Sequence, residues 1–289
     1  MVGFAEKWSR RFRYRVRKPI VRRAEDLARR WLNEKPTIPL LDPRLIGKLR
    51  ERLGEYSEDL DEIDRYALAE KLAGSVYPKY KFSDFSRIHL EDEAFMAYYL
   101  RFRDSGNFRT YDRKYFLNEL LKLAARVPGD LAECGTYQGK SAHLLCAHGE
   151  RYGRRVHLFD SFEGLPEPHS RDGEYWRQGD LAAGEELLGE TLGEFSNWQA
   201  YPGWIPSRFP DVKDQQFSFV HIDVDLYQPT LDSIEFFFPR MSRGGVILMD
   251  DYGFGTCPGA KQALDEFFSK REEEIVLVPT GQGFVVRES

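Results

Sequence analysis

Two groups of residues in this sequence are of types and spacings that do chemistry. The first is a series of acids at the ends of apolar runs: Glu133 in "DLAEC", Asp160 in "RVHLFD", Asp223 and Asp225 in "FSFVHIDVD", and Asp250 and Asp251 in "GGVILMDD". Crowded carboxylates repel unless a cation lies between them, so Asp223, Asp250 and Asp251 read as a divalent-metal site. A donor set of hard oxygens with no nearby cysteine suits Mg²⁺, Ca²⁺ or Mn²⁺ better than zinc. Side chains alternate along a strand, so Asp225 shares a face with Asp223 if the strand runs that far. It is then a general base acting on a metal-bound hydroxyl or a supporting group behind the metal. His221 lies on the same face and competes for the catalytic role, against the plainer reading of a core histidine. The plainer reading of the acids themselves is solvated loop carboxylates.

The second group is the glycine corner "ECGTYQGKSA", Glu133 to Ala142. A strand that stops at Gly135 and hands over to a helix after Gly139 leaves unpaired backbone N–H groups and lets a ligand approach the chain. Glu133, next to last in the strand, suits an acceptor for a ligand ammonium. Asp160 closes the next strand about twenty residues beyond Gly139, where an acid accepts hydrogen bonds from ribose hydroxyls. Ser161 and Phe162 follow it, supplying a hydroxyl and an aromatic face.

These groups need a scaffold that brings strand ends together. Short apolar runs at 130–134, 155–160, 217–223 and 244–250 alternate with amphipathic segments, the pattern of a buried parallel sheet. Two runs around "PTGQG" within 274–287 form a closing hairpin. The fold class is therefore α/β, doubly wound, and ligands in such sheets bind beyond the carboxyl ends of the strands.

Ahead of that domain, residues 1–35 form a basic amphipathic helical arm with twelve Lys or Arg against four acids, a net of +8 in a chain of net charge −5. Such an arm packs on its own domain or a partner chain, or lies on an anionic membrane surface. Residues 33–45 are proline-rich and extended, and the helical periodicity of 46–75 and 91–103 makes 36–112 a helical cap before a domain at 113–289. The chain has 42% hydrophobic residues and no apolar run long enough to span a bilayer. No secretory leader pattern is visible, which points to the cytoplasm, and the three cysteines suggest reduced, buried residues rather than a disulfide framework. No nucleic-acid-binding fold follows the arm.

From about Thr110 onward the motifs "GDLAECGTYQGKSA", "HLFDSFEGLPEP", "HIDVDLYQPTLDSIEFFFPRMSRGGVILMDDYG" and "GAKQALDEF" resemble the macrocin O-methyltransferase family of S-adenosylmethionine- and magnesium-dependent sugar O-methyltransferases. The resemblance implies the class I methyltransferase sheet with a reversed last hairpin. It implies that Glu133, Gly135, Tyr137, Gly139 and Ser141 line the methionine end of S-adenosylmethionine, with Asp160 on its ribose and Gly203-Trp204 near the adenine. Asp223, Asp250 and Asp251 match the metal ligands and Asp225 the base. It also implies a homo-oligomer and a sugar or other small-molecule acceptor with neighbouring hydroxyls. The first 110 residues have no counterpart in that pattern, and the acidic, glycine-bearing segment Glu163–Asn197 reads as an acceptor-side lid. Two rival readings are a nicotinamide-dependent oxidoreductase, which lacks the middle glycine of its fingerprint, and a non-catalytic scaffold subunit, which would not need the metal acids.

Overall fold

A computed structural model describes residues 91–102 and 111–288, together with residues 51, 68, 69, 72 and 73. The basic arm, the proline-rich crossing and most of the helical cap lie outside the described residues. Contacts divide the chain into Met1–Met96 and Ala97–Ser289, whereas the change of sequence texture suggests a boundary at 112/113.

The second unit is built on seven strands: β1 Asp130–Cys134, β2 Val156–Asp160, β3 Trp198–Pro202, β4 Phe217–Ile222, β5 Met241–Met249, β6 Val276–Leu277 and β7 Gly283–Val286. Their order is β3-β2-β1-β4-β5-β7-β6. The first five are parallel, and β7 inserts antiparallel between β5 and β6. Its helices are α1 Glu93–Phe102, which crosses the boundary between the units, α2 Tyr111–Ala124, α3 Lys140–Tyr152, α4 Glu186–Leu192, α5 Tyr227–Phe237 and α6 Pro258–Phe268.

Helices cover both faces of the sheet, and for this reason β1 and β4 read as nearly unbroken apolar runs. On one face Ala132, Cys134, Phe159, Val220, Ile222, Ile247 and Met249 pack with Ile234 and Phe237 of α5 and Leu264 of α6. Phe159, Phe209, Phe217 and Phe237 meet there edge to face, each such pair worth about 0.5–1.5 kcal/mol beyond the area it buries. Strand alternation sends Leu131, Glu133, Phe219 and His221 to the other face, where α2 packs on β4 and β5 and α3 on β1 and β2.

Three expectations change. β4 ends at Ile222, so Asp223 and Asp225 stand on the turn after it rather than on a pleat. β5 begins at Met241 instead of Gly244, because the register slips where Phe217 pairs with Met241 and Phe219 with Val246. The segment 163–197 is not a free loop, since it carries α4 and is pinned by Asp172, which is buried. Asp172 Oδ1 accepts from Tyr227 N at 2.7 Å, capping α5 from outside, and Oδ2 accepts from His169 N at 2.7 Å.

Gly135 joins the sheet to the site. Its φ is +83°, and an added Cβ would stand 1.7 Å from the Asp223 carbonyl oxygen, so β1 and β4 end in backbone-to-backbone contact. Gly153, at the C-terminus of α3, has φ +66° but open space around it. Gly135→Ala is expected to cost about 2–4 kcal/mol or more in urea unfolding, and Gly153→Ala only about 1 kcal/mol. Equal losses would contradict the close approach of the two strand ends.

Candidate active site

Beyond the carboxyl ends of β1, β2, β4 and β5 lies a cavity of about 550 Å³. Gly135, Tyr137, Asp160, Ser161 and Trp204 line one part of it, and Asp223, Asp225, Asp250 and Asp251 another. The ladder continues past the strands to hold these residues: Gly135 N donates to Phe159 O, Asp223 N to Cys134 O and Asp250 N to Ile222 O, each at 2.9 Å. Among the described residues four non-glycine positions have positive φ, and three of them, Tyr137, Leu181 and Asp225, line the cavity. Such a conformation costs of order 1–3 kcal/mol and persists only where surrounding bonds enforce it. At Asp225 the bond is its own N–H, donated to Asp251 Oδ2 at 3.0 Å.

Asp160 organises the nucleotide-type corner. Its Oδ2 accepts from Tyr137 N and its Oδ1 from Phe162 N, both at 2.7 Å, while its carbonyl accepts from Gly203 N at 2.9 Å. Phe162 and Gly203 therefore shape the corner through their backbone and do not line the cavity. Gly139 and Ser141 do not line it either. An added Cβ at Gly139 would meet Leu188 Cδ2 at 2.8 Å, so this glycine admits α4 rather than a ligand, and Ser141 is buried in α3.

Glu133 and His221 are register partners on β1 and β4 and are fully buried. His221 Nδ1 lies 2.8 Å from Glu133 Oε1, and its Nε2 lies 3.2 Å from Asp250 Oδ1. His221 is thus a bridge beneath the cavity and no part of its wall, which corrects the expectation of a catalytic histidine. Glu133 Oε2 is buried without a hydrogen-bond partner.

The acids are tightly held. Asp250 Oδ1 also accepts from Gln282 Nε2 at 2.6 Å, and its Oδ2 pairs with Arg113, which sits 3.9 Å from Asp251 Oδ1 and stacks on the Phe254 ring. Burial, reinforced by Asp223, pushes the Asp251 carboxyl up to about 7. Burial, then Asp251 and Asp223, raises Asp225 well above the carboxylate range.

Donor atoms of His221, Asp223 and Asp250 lie within 4.8 Å of one another, as do those of Asp225, Asp251 and Cys257. The expected ligands are thus divided, Asp223 and Asp250 in one group and Asp251 with Asp225 in the other; acids buried this close together fit a hard divalent cation, and Arg113 supplies counter-charge to Asp250 and Asp251. Cys257, which the linear sequence sets apart from these acids, points its thiol at Asp225 Oδ1 at 3.4 Å and accepts from Trp176 Nε1 at 3.4 Å. Burial, then Asp251 and Asp225, pushes that thiol up.

Sequence reading missed Arg113, Lys114, Trp176, Phe254 and Gln282. Paired cations opening a helix were a visible signal for the first two. Gln282 was hidden inside "PTGQG", which reads only as a turn.

The sequence profile of the macrocin-O-methyltransferase (TylF) family matches residues 113–278. The chain is 34% identical over 153 residues to 8-demethyl-8-(2,3-dimethoxy-alpha-L-rhamnosyl)-tetracenomycin-C 4'-O-methyltransferase of Streptomyces olivaceus, covering 48% of this chain and 58% of that protein. It is 29% identical over 182 residues to mycinamicin III 3''-O-methyltransferase of Micromonospora griseorubida, covering 56% of this chain and 70% of that protein. The match to the first relative thus spans less than two thirds of that protein's length. Among solved structures, the O-methyltransferase NovP superposes with a TM-score of 0.53 at 24% identity, over 62% of this chain and 81% of that one. The calicheamicin methyltransferase CalS11 does so with 0.54 at 18% identity, over 68% and 92%. Both likenesses show the class I methyltransferase fold. With the profile running from Arg113 on the cavity wall to Val278 in the closing hairpin, more than half of its length, this chain belongs to the macrocin-O-methyltransferase (TylF) family.

Proposed function

We propose that this protein is an S-adenosylmethionine-dependent O-methyltransferase that acts on a hydroxyl of a sugar or glycosylated small molecule bearing a neighbouring hydroxyl, with a divalent cation, Mg²⁺ first among candidates. The observation that carries this reading is the union of the Asp160–Trp204 corner and the four-acid cluster in one cavity. The relatives support the acceptor class, since their names specify 4' and 3'' hydroxyl positions on glycosylated products.

S-adenosylmethionine supplies the methyl group on a sulfonium, a good leaving group, so no covalent enzyme intermediate is required. Asp160 receives the ribose hydroxyls while its backbone bonds hold the acid in place, and Trp204 offers its indole to the adenine. Glu133, buried beneath the cavity wall, holds an unpartnered Oε2 that would accept from an ammonium group brought to the end of β1.

A hard divalent cation held by Asp223, Asp250 and Asp251 would supply positive charge at the acceptor hydroxyls and lower the pKa of one of them. His221 and Gln282 orient Asp250 for that role from below. Asp225, kept basic enough by burial and neighbouring charge, takes the hydroxyl proton. Trp176, Tyr175 and Phe254 wall the acceptor side and limit water there. The homo-oligomer, the cytoplasmic location and a membrane contact through the arm belong to this same proposal. Among the described residues no helix is long and apolar enough to cross a membrane.

Calorimetric titration of the full chain with S-adenosylhomocysteine tests the reading. Binding is expected, weakened about tenfold or more by Trp204→Ala, with transfer of a labelled methyl group to vicinal-diol glycosides as the second readout. A chain that binds no S-adenosylhomocysteine is not a methyltransferase. Mn²⁺ binding, followed by its electron paramagnetic resonance signal, should be lost in Asp250→Ala while S-adenosylhomocysteine binding persists.

The acid cluster also sets a pH dependence. Asp251 has a folded pKa of about 7 against an ordinary 3.8, so between those values the folded state holds a proton that the unfolded state has released. Its stability contribution is complete below about pH 4 and declines as pH rises through about 7, by up to about 1.4 kcal/mol per pH unit. Without divalent cations, melting temperature should fall over this range in the wild type and less steeply in Asp251→Asn. Parallel curves would show that Asp251 does not titrate there.

A further inference from the structure

The first turn of α2 carries two adjacent cations, Arg113 and Lys114. This is the helix end where the macrodipole favours anions and disfavours cations. Arg113 has compensation in Asp250, Asp251 and the Phe254 face. Lys114 has no direct partner: among the described residues its ammonium makes no hydrogen bond or ion pair, though it is half-buried on the cavity wall within electrostatic reach of Asp223 and Glu133. Burial pushes its pKa down, while the more distant charges of Asp223 and Glu133 pull it up. A half-buried lysine at a helix N-terminus, without a direct partner, calls for an anion from outside the chain.

The cavity indicates which anion. Asp160 and Trp204 stand at the ends of β2 and β3, so a nucleoside seated there directs whatever its 5' position carries toward the ends of β1 and β4. Lys114 stands at that end. The acids around it, Asp223 and Glu133, would repel a carboxylate unless a cation offset them. Lys114 is the one unpaired lysine or arginine among the described residues that line the cavity.

We propose that Lys114 binds the α-carboxylate of the amino-acid end of S-adenosylmethionine, leaving the unpartnered Glu133 Oε2 for the α-ammonium. This rests on the methyltransferase reading above. It assigns a cofactor contact to the helix that precedes the glycine corner. The site thereby becomes complementary to a zwitterion, and the first turn of α2 must be in place before the donor binds fully.

The test compares S-adenosylmethionine with decarboxylated S-adenosylmethionine, which lacks only the carboxylate, by calorimetry on the full chain without acceptor. Wild type should bind the intact donor about tenfold or more tightly than the decarboxylated one. Lys114→Met should lose that preference by weakening the intact donor alone, while Lys114→Arg should retain part of it. Circular dichroism melts establish that each variant is folded. If wild type binds both donors alike, or Lys114→Met weakens both equally or neither, the assignment falls and the methyltransferase reading stands. If wild type binds neither donor, the methyltransferase reading itself fails and takes this assignment with it.

Discussion

The parallel register of β1, β4 and β5 is the constraint on which the rest of the site depends. It sets Glu133 beside His221 and brings Asp250 to the other ring nitrogen, forming a carboxylate–imidazole–carboxylate chain at the floor of the cavity. Taking such groups out of water is costly unless each is bonded, and removing one partner leaves the others exposed to that cost. The chain is therefore sensitive to register. A one-residue slip of β4 would turn His221 to the opposite face and leave the buried Glu133 without its ring partner.

Above that floor the structure concentrates both charge and backbone strain. Asp225 occupies a left-handed conformation, with its N–H tied to Asp251, and burial, then the charges of Asp251 and Asp223, raise its proton affinity. Arg113 offsets part of this charge from the start of α2. The first turn of that helix thus joins the cavity wall, although the classical glycine corner lies wholly after it. The covering segment is fixed from two sides, by Asp172 at the start of α5 and by Trp176 at Cys257. Its cavity-facing residues are positioned by the same elements that carry the acids.

The family profile runs from Arg113 to Val278, so the strand ends, the acids and the covering segment 163–197 all fall within it and the residues ahead of Arg113 fall outside. On the function proposed above, the polar groups at the strand ends serve methyl transfer and the covering segment serves recognition of the acceptor, the usual division between a rigid scaffold and the connections it carries.

The fold class was legible in the sequence, because strands buried on both faces must read as short apolar runs and helices between them must show a 3.6-residue period. The acids were legible for a related reason: a carboxylate ending an apolar run is costly unless it faces a site, and Asp160, Asp223, Asp225, Asp250 and Asp251 all reach the cavity. Partnership across distance was not legible. Alternation placed His221 on the correct face, yet only the register decided that it bridges Glu133 and Asp250 instead of facing the ligand. Gly139 looked like a place for a ligand, and packing against Leu188 of α4 decided otherwise. Arg113, Lys114, Cys257 and Gln282 belong to segments far from the acids in sequence, and no local pattern states where a helix start or a hairpin turn will dock. The sequence by itself determined which residues could bear charge at strand ends, since that follows from local periodicity and the cost of burying polar groups. The tertiary structure alone decided which of those charges are paired, because pairing depends on the packing of elements that the chain's linear order does not bring together.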